Sequence, residues 1–399
     1  MNRISVFAAG VSAAALGAAA YGAASPPPPI ANYWMDAATA SGMGAGMTPG
    51  ARPSMSQIMG MMSGQQPSVA HTLELTLASR TKPTAAPQAD HLIPPGLSMG
   101  PSLPLLTPDA PKPVKETYGL PQGYEKPKGR MLIYWGCGDH VAAGQPTVLD
   151  FEKMASGQVP PGMAALANIA RTASPPNSAA GFGQWPNKKD SRPVPANGSL
   201  LGAHKVQANY APQIDFTLTQ DFMPALGLME AGNSPSGATR LRWTPPASAT
   251  GYALMLSGAN QSGDIVMWAS SKSAAMMPHL DYLAPAEVKK QIAAGTVLPP
   301  STSECLLPVE VASAVPVGMV MAIGYGPEVH FADKPKDPTW TTKVRYKTTA
   351  SLMRGMGGMM GGMAEPQSQQ ATQPGQPPKK KKKFGLADVL KGMSPVPVP

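Results

Sequence analysis

Cysteine is nearly absent from the chain: there are two in 399 residues, Cys137 and Cys305. With so few thiols, and with six histidines that show no close pairing in sequence, a structural zinc site of about four convergent ligands has little to draw on. Charge is sparse as well. Asp, Glu, Lys and Arg make 14% of the chain, against ~25% in an average soluble domain. After the N-terminal stretch no segment reaches the ~18 uninterrupted apolar residues that would suggest a membrane span. A Walker A loop, a dinucleotide fingerprint and an EF-hand loop are also lacking, so the sequence calls for no nucleotide, calcium or other cofactor.

Proline and glycine are abundant, at 47 and 41 residues, so much of the length reads as linker. Arg3, an apolar Ala/Gly/Val-rich run from Ile4 to Ala20 and the small residues Gly22-Ala23-Ala24 have the layout of a secretory signal peptide over residues 1–24. An uncleaved anchor is the alternative, for which the run is short and weakly apolar. Either way the expectation is an exported protein of the periplasm, the envelope or the extracellular space. That location disfavours a nucleic-acid partner despite the formal charge of +9, five units of which sit in Lys379, Lys380, Lys381, Lys382 and Lys383.

Periodicity places the folded part between two arms. Residues 25–67 and 350–399 are rich in Pro, Gly, Gln and Met and lack a helix or strand period, which predicts disorder. Between them, Val69, His71, Leu73, Leu75 and Leu77 alternate with Thr72, Glu74 and Thr76 as a half-buried strand. Pro-rich irregular chain is expected to about Lys128. A hairpin follows from Met131–Trp135 and Thr147–Phe151, then a helix over Met163, Leu166, Ile169 and Ala170, an irregular loop from Thr172 to Asn197, and strands at Leu200–Ala208 and Gln213–Thr219. Farther on, Pro285–Ala294 reads as a helix with Pro at its start and Gly295 as its stop. Strands are expected at Ile265–Trp268, Val309–Val311, Met319–Tyr325 and Val329–Phe331. In a final strand, Trp340, Thr342, Val344 and Tyr346 point inward and Lys343, Arg345 and Lys347 outward.

Between Thr239 and Gly258, Leu241 and Trp243 alternate with Arg240, Arg242 and Thr244, Pro245-Pro246 end the strand, and Tyr252, Leu254 and Leu256 resume the period of two. A strand ending in Trp-x-Pro-Pro, a short loop, then Gly-Tyr opening the next strand resembles the second and third strands of a fibronectin type III domain. The resemblance implies that Leu241, Trp243, Tyr252 and Leu254 fill a sandwich core, and it implies no chemistry, because that fold serves mainly as a spacer or binding module. The predicted fold class is mainly β, with two antiparallel sandwich-like domains of immunoglobulin or fibronectin type at 68–222 and 224–349.

Three constellations bear on chemistry. Gly96-Leu-Ser98-Met-Gly100 matches the G-x-S-x-G of serine hydrolases, but Pro94-Pro95 and Pro101 occupy the places where the motif needs a strand and a helix, so it reads as a turn. Cys137, Asp139 and His140 are close enough in sequence for a Cys-His nucleophile, which would make the chain a hydrolase-like enzyme. In an exported chain two cysteines are instead a candidate disulfide, Cys137–Cys305, or else two buried thiols. Finally, Met43, Met47, Met55, Met59, Met61 and Met62 in one arm and Met353, Met356, Met359, Met360 and Met363 in the other offer thioether sulfur suited to Cu(I), against a reading as adhesive linker. The five lysines beside the apolar Phe384, Leu386, Val389 and Leu390 suit an anionic membrane surface. Taken together, the expected role is structural or binding, toward an envelope or surface protein or polymer.

Overall fold

The computed structural model describes residues 28–43, 45, 69–109, 129–155, 179–274 and 281–355. The elements are, in chain order, β1 (Ala31–Gly42), β2 (Val69–Ser79), β3 (Ala89–Leu92), β4 (Ser102–Pro104), β5 (Arg130–Trp135), β6 (Thr147–Asp150), the short helix α1 (Phe151–Ala155), β7 (Gly181–Trp185), β8 (Gly202–Ala208) and β9 (Ile214–Leu218). They continue with β10 (Met229–Asn233), β11 (Thr239–Arg242), β12 (Gly251–Ala259), β13 (Ile265–Ala269), α2 (Pro285–Ala293), β14 (Glu304–Leu307), α3 (Val309–Ala314), β15 (Gly318–Ala332) and β16 (Trp340–Arg354). The chain is mainly β, as its alternating patterns predict.

Nine strands form one mixed sheet in the order β6-β5-β13-β12-β15-β16-β1-β2-β7. Two smaller sheets, β10-β11-β14 and β4-β3-β8-β9, complete the described strands. One continuous core joins all three: Tyr33, Met35, Leu75 and Leu77 of the large sheet share a cluster with Val206, Ile214 and Phe216, and Leu254, Leu256, Val266 and Trp268 share it with Leu241, Cys305 and Leu307. The resemblance residues lie within it. Trp243 and Tyr252 are buried, with ring centroids 5.4 Å apart at 57°, and burial pushes the Tyr252 hydroxyl up to about 12. On the opposite face of β12 and β15, Val288 of α2 closes a second cluster with Ala253, Leu283, Val297, Ile323 and Tyr325. Helix α2 begins on Pro285, and Gly295 follows it at φ +74°, so its start and stop are those the sequence carries.

Several expectations are corrected by long-range pairing. The arm at 25–67 is not disordered throughout, because β1 lies deep inside the large sheet, parallel to β16 on one side and antiparallel to β2 on the other. Ala31, Tyr33, Met35 and Ala37 alternate and are almost fully buried, but Trp34 and Ala38 blur the period in the sequence. Gly42 ends β1 at φ +75°, and a Cβ there would stand 2.0 Å from the Ser351 carbonyl oxygen. The tail begins later than residue 350, since β16 runs to Arg354, whose guanidinium donates to the carbonyls of Ala312 and Val315.

The stretch 81–128 contributes β3 and β4. The loop at 172–197 contributes β7, where Gly181 and Gly183 lie so close under Tyr210 that a Cβ would come within 2.4 and 2.6 Å of its side chain. Glycines that read as a loop are required there by close approach. Val309–Val311 is the start of a helix, α3, which Pro308 precedes and in which Val311 and Ala312 are buried. The strands expected at 319–325 and 329–331 are one strand with a register shift between Tyr325 and Glu328. The helix expected at 163–170 lies outside the described residues.

The division at 68–222 and 224–349 does not separate the sheets. β2, β5, β6 and β7 of the first span add to both margins of a sheet whose middle is β13-β12-β15-β16 of the second. Edge strands expose unpaired backbone groups, and pairing at both margins covers them.

Candidate functional site

Strand alternation sends Trp34 and Asp36 of β1, Glu74 and Thr76 of β2 and Lys343, Arg345 and Lys347 of β16 to the face of the large sheet opposite Tyr33 and Val344. The register sets Asp36 beside both Arg345 and Glu74, and Trp34 beside Lys343. Arg345 grips Asp36 with two hydrogen bonds, one of them Nε to Oδ1 at 2.5 Å, and both side chains are 5% exposed. Burial raises the Asp36 carboxyl above the ordinary range while Arg345 pulls it back.

Cations and rings alternate along this face. Lys343 Nζ lies 4.5 Å from the Trp34 ring centroid, and the Arg345 guanidinium carbon is 4.8 Å from Trp34 and 4.7 Å from Tyr282. Lys347 Nζ lies 4.1 Å from the Tyr282 ring centroid. Lys343 also pairs with Glu328 at 3.4 Å. Burial lowers the Lys347 ammonium, opposed by Asp281, Glu74 and Asp36, and burial raises Glu74. Tyr282 reaches the stack from the segment leading into α2. Each cation is thus matched by a carboxylate or an aromatic face, and the arrangement holds its parts in register. Arg345 and Lys347 are therefore not outward-facing surface residues, because the segment at Tyr282 covers the face that alternation assigns to solvent. Sequence reading missed this site; the signal that could have found it is the Trp34-Met35-Asp36 triplet inside an arm otherwise rich in Pro, Gly and Met.

The sequence-derived candidates fare differently. Cys137, just past β5, is bonded to Cys305 of β14, with 5.2 Å between the Cα atoms. Its sulfur is therefore no thiolate. Asp139 and His140 turn to other partners: Asp139 accepts from Ser234 and Ser236 at 2.6 and 2.5 Å, and His140 Nδ1 lies 2.8 Å from Glu310 Oε1. The two serine hydroxyls hold the Asp139 carboxyl below its usual range. Ser98 ends a 3-10 turn over Pro95–Leu97 at φ 57°, with its hydroxyl 3.5 Å from the Gly96 carbonyl oxygen, a turn geometry without a strand-to-helix elbow. Lys379 to Lys383 and all but Met43 and Met353 of the arm methionines lie outside the described residues.

The histidines hold more than the sequence shows. His91 and His204 are buried together under the large sheet, within reach of Tyr33, and His71 stacks on Phe222 with centroids 4.0 Å apart. Among the described residues no three of His, Cys, Asp or Glu converge as a metal site, and no helix is long and apolar enough to cross a membrane. No family model, curated protein or solved structure matches this chain.

Proposed function

We propose that this chain is an exported, non-enzymatic structural or binding protein of the cell envelope or surface, built on a fibronectin type III-like sandwich at 229–354. The observation that carries the reading is strand order. In an immunoglobulin-type sandwich the first, second and fifth strands share one sheet and the third, sixth and seventh the other. Counting from β10, the first, second and fifth strands are β10, β11 and β14, which pair in that order, while β12, β15 and β16 pair in the facing sheet with the fourth strand, β13, beside β12. Such sandwiches present surfaces rather than reactive groups, and the balanced cation and ring stack suits a rigid plank. Export is supported by the Cys137–Cys305 bond, which persists in oxidising compartments, together with the apolar N-terminal run. Cell fractionation followed by alkylation under denaturing, non-reducing conditions tests this: the envelope or external fraction should hold the protein with no alkylatable thiol. A cytoplasmic pool carrying two free thiols would overturn it.

A second reading, soft-metal binding, is favoured by one geometric fact. Gly42 and Ser351 are register partners, the Met43 amide donates to the Ser351 carbonyl at 3.2 Å, and Ser41 faces Val69, so both methionine-rich arms leave the fold at one end of the sheet. Tethering raises their mutual effective concentration. Under reducing conditions the full chain should bind Cu(I) at submicromolar concentration and lose that binding when residues 44–67 and 356–399 are both removed. Equal binding by the shortened chain sinks the reading. A chain ending at Gly355 also tests the lysine run as an anchor for an envelope polymer or anionic lipid. It should keep its melting temperature yet lose attraction to anionic vesicles at low salt.

A further inference from the structure

We propose that the four-stranded sheet β4-β3-β8-β9 is an acid-released flap, held shut by a buried histidine relay. Tyr33 Oη lies 2.8 Å from His91 Nδ1, His91 Nε2 lies 3.0 Å from His204 Nδ1, and His204 Nε2 lies 2.7 Å from the Leu200 carbonyl oxygen. A carbonyl only accepts, so the proton positions follow along the chain. His204 carries its proton on Nε2 and accepts at Nδ1, His91 donates from Nε2 and accepts at Nδ1, and the Tyr33 hydroxyl donates. Every hydrogen of the relay has an acceptor only while both imidazoles are neutral. A second proton on His204 would set two N–H groups against each other at 3.0 Å or, if His91 moves its own proton to Nδ1, turn the Tyr33 hydroxyl proton away from its partner in the relay, and a second proton on His91 does the same to Tyr33.

Among the described residues no free carboxylate stands ready to compensate. From β9, Phe216 stacks on His204 with centroids 5.1 Å apart at 8°. From β2, His71 lies on the same face against Phe222. The nearby carboxylate, Asp221, is already accepting from the Ser199 hydroxyl and the Leu200 and Phe222 amides. Asp90, Lys205 and Asp215 stand on the outer face of the four-stranded sheet, and Glu328, His330 and Lys343 on the far side of the large one. Burial lowers His91, with His204 adding to the effect, and burial likewise lowers His204 and His71.

The two small sheets are not equally fastened. The Cys137–Cys305 bond ties β14, and with it the three-stranded sheet, to the end of β5. The four-stranded sheet is held by packing and by edge hydrogen bonds to β7 and its flanks, such as Leu106 to Gln184 and Thr107 to the Phe182 carbonyl. Proton uptake by the relay therefore opens this sheet before the rest.

The sign follows from linkage. Neutral buried histidines contribute stability that is fully present above the unfolded value of about 6.5 and is lost as pH falls toward their lower folded values. In that window each proton taken up multiplies the open population by about ten per pH unit, so two give up to about a hundredfold.

Hydrogen exchange on the full disulfide-bonded chain at pH 7.5 and 5.0, corrected for intrinsic exchange, is the test. Amides of β3, β8 and β9 should lose at least about tenfold more protection than those of β12 and β15. In the double variant His91→Gln/His204→Gln that pH-dependent difference should vanish, whatever its baseline stability. Equal loss in β12 and β15 would overturn the proposal, as would an unchanged pH response in the variant. If the variant does not fold, the wild-type histidine resonances decide: titration of His91 or His204 near 6.5 while β3 and β8 stay protected overturns it, and titration only together with opening supports it.

Discussion

Asp36→Ala is expected to destabilise the protein by about 3 to 5 kcal/mol, because it removes one partner of a buried ion pair. The Arg345 guanidinium lies against two rings, Trp34 and Tyr282, and donates its hydrogen bonds to Asp36. With the carboxylate gone, the rings still attract the cation, but the N–H groups that donated to Asp36 lose that acceptor. Asp36→Asn keeps the shape and one acceptor and should fall between wild type and alanine. The double replacement Asp36→Leu/Arg345→Met is expected to lie within about 1 kcal/mol of wild type, since well-packed apolar groups match or exceed buried ion pairs. The upward shift of Asp36 agrees in sign. A carboxyl whose folded value is raised contributes stability present below its unfolded value and lost as pH rises through the folded one, so its ionised form carries a cost at neutral pH. Urea midpoints for the four chains measure this. An Asp36→Ala cost under about 1 kcal/mol, the range of exposed pairs, would show that solvent reaches the stack.

The same residues show where sequence reading stops. Alternation in β2, β11, β12 and β16, the Pro285 start and the Gly295 stop are local signals, and each gave the right element because its cause lies within a few residues. Which face is covered is not local. Lys343, Arg345 and Lys347 alternate with Trp340, Thr342, Val344 and Tyr346 as a wet face would, and nothing within β16 reveals that Tyr282 closes over Arg345 and Lys347. β1 is the extreme case, as its pairing with β16 joins Asp36 to Arg345 across 309 positions, and it sits in an arm whose Pro, Gly and Met content reads as irregular chain. β7 reads as a loop because its glycines are explained only by Tyr210. The histidine relay was similarly invisible: His91 sits in a Pro-rich stretch and His204 more than a hundred residues on. Their burial becomes evident only once β3 pairs with β8 beneath Tyr33.

Removing the disulfide should have an effect of comparable size and a different distribution. The bond closes a loop spanning 168 positions, for which the chain-entropy model gives roughly 5 kcal/mol, an upper figure when the unfolded chain keeps residual structure. In Cys137→Ser/Cys305→Ser the denaturant midpoint should fall well below wild type, and wild type in dithiothreitol should fall most of the way to it, since reduction and substitution remove the same constraint. Cys305 is buried beside Leu241 and Leu307, so a serine there adds the cost of burying a hydroxyl, and Cys305→Ala in place of serine separates that term from the loss of the bond. The loss should concentrate where the bond acts, with β10, β11 and β14 exchanging faster while β3 and β8 at neutral pH change little. A variant that loses no stability and exchanges as wild type does would mean that packing of Leu241, Trp243 and Leu307 alone holds the three-stranded sheet. The difference in fastening between the two small sheets would then disappear.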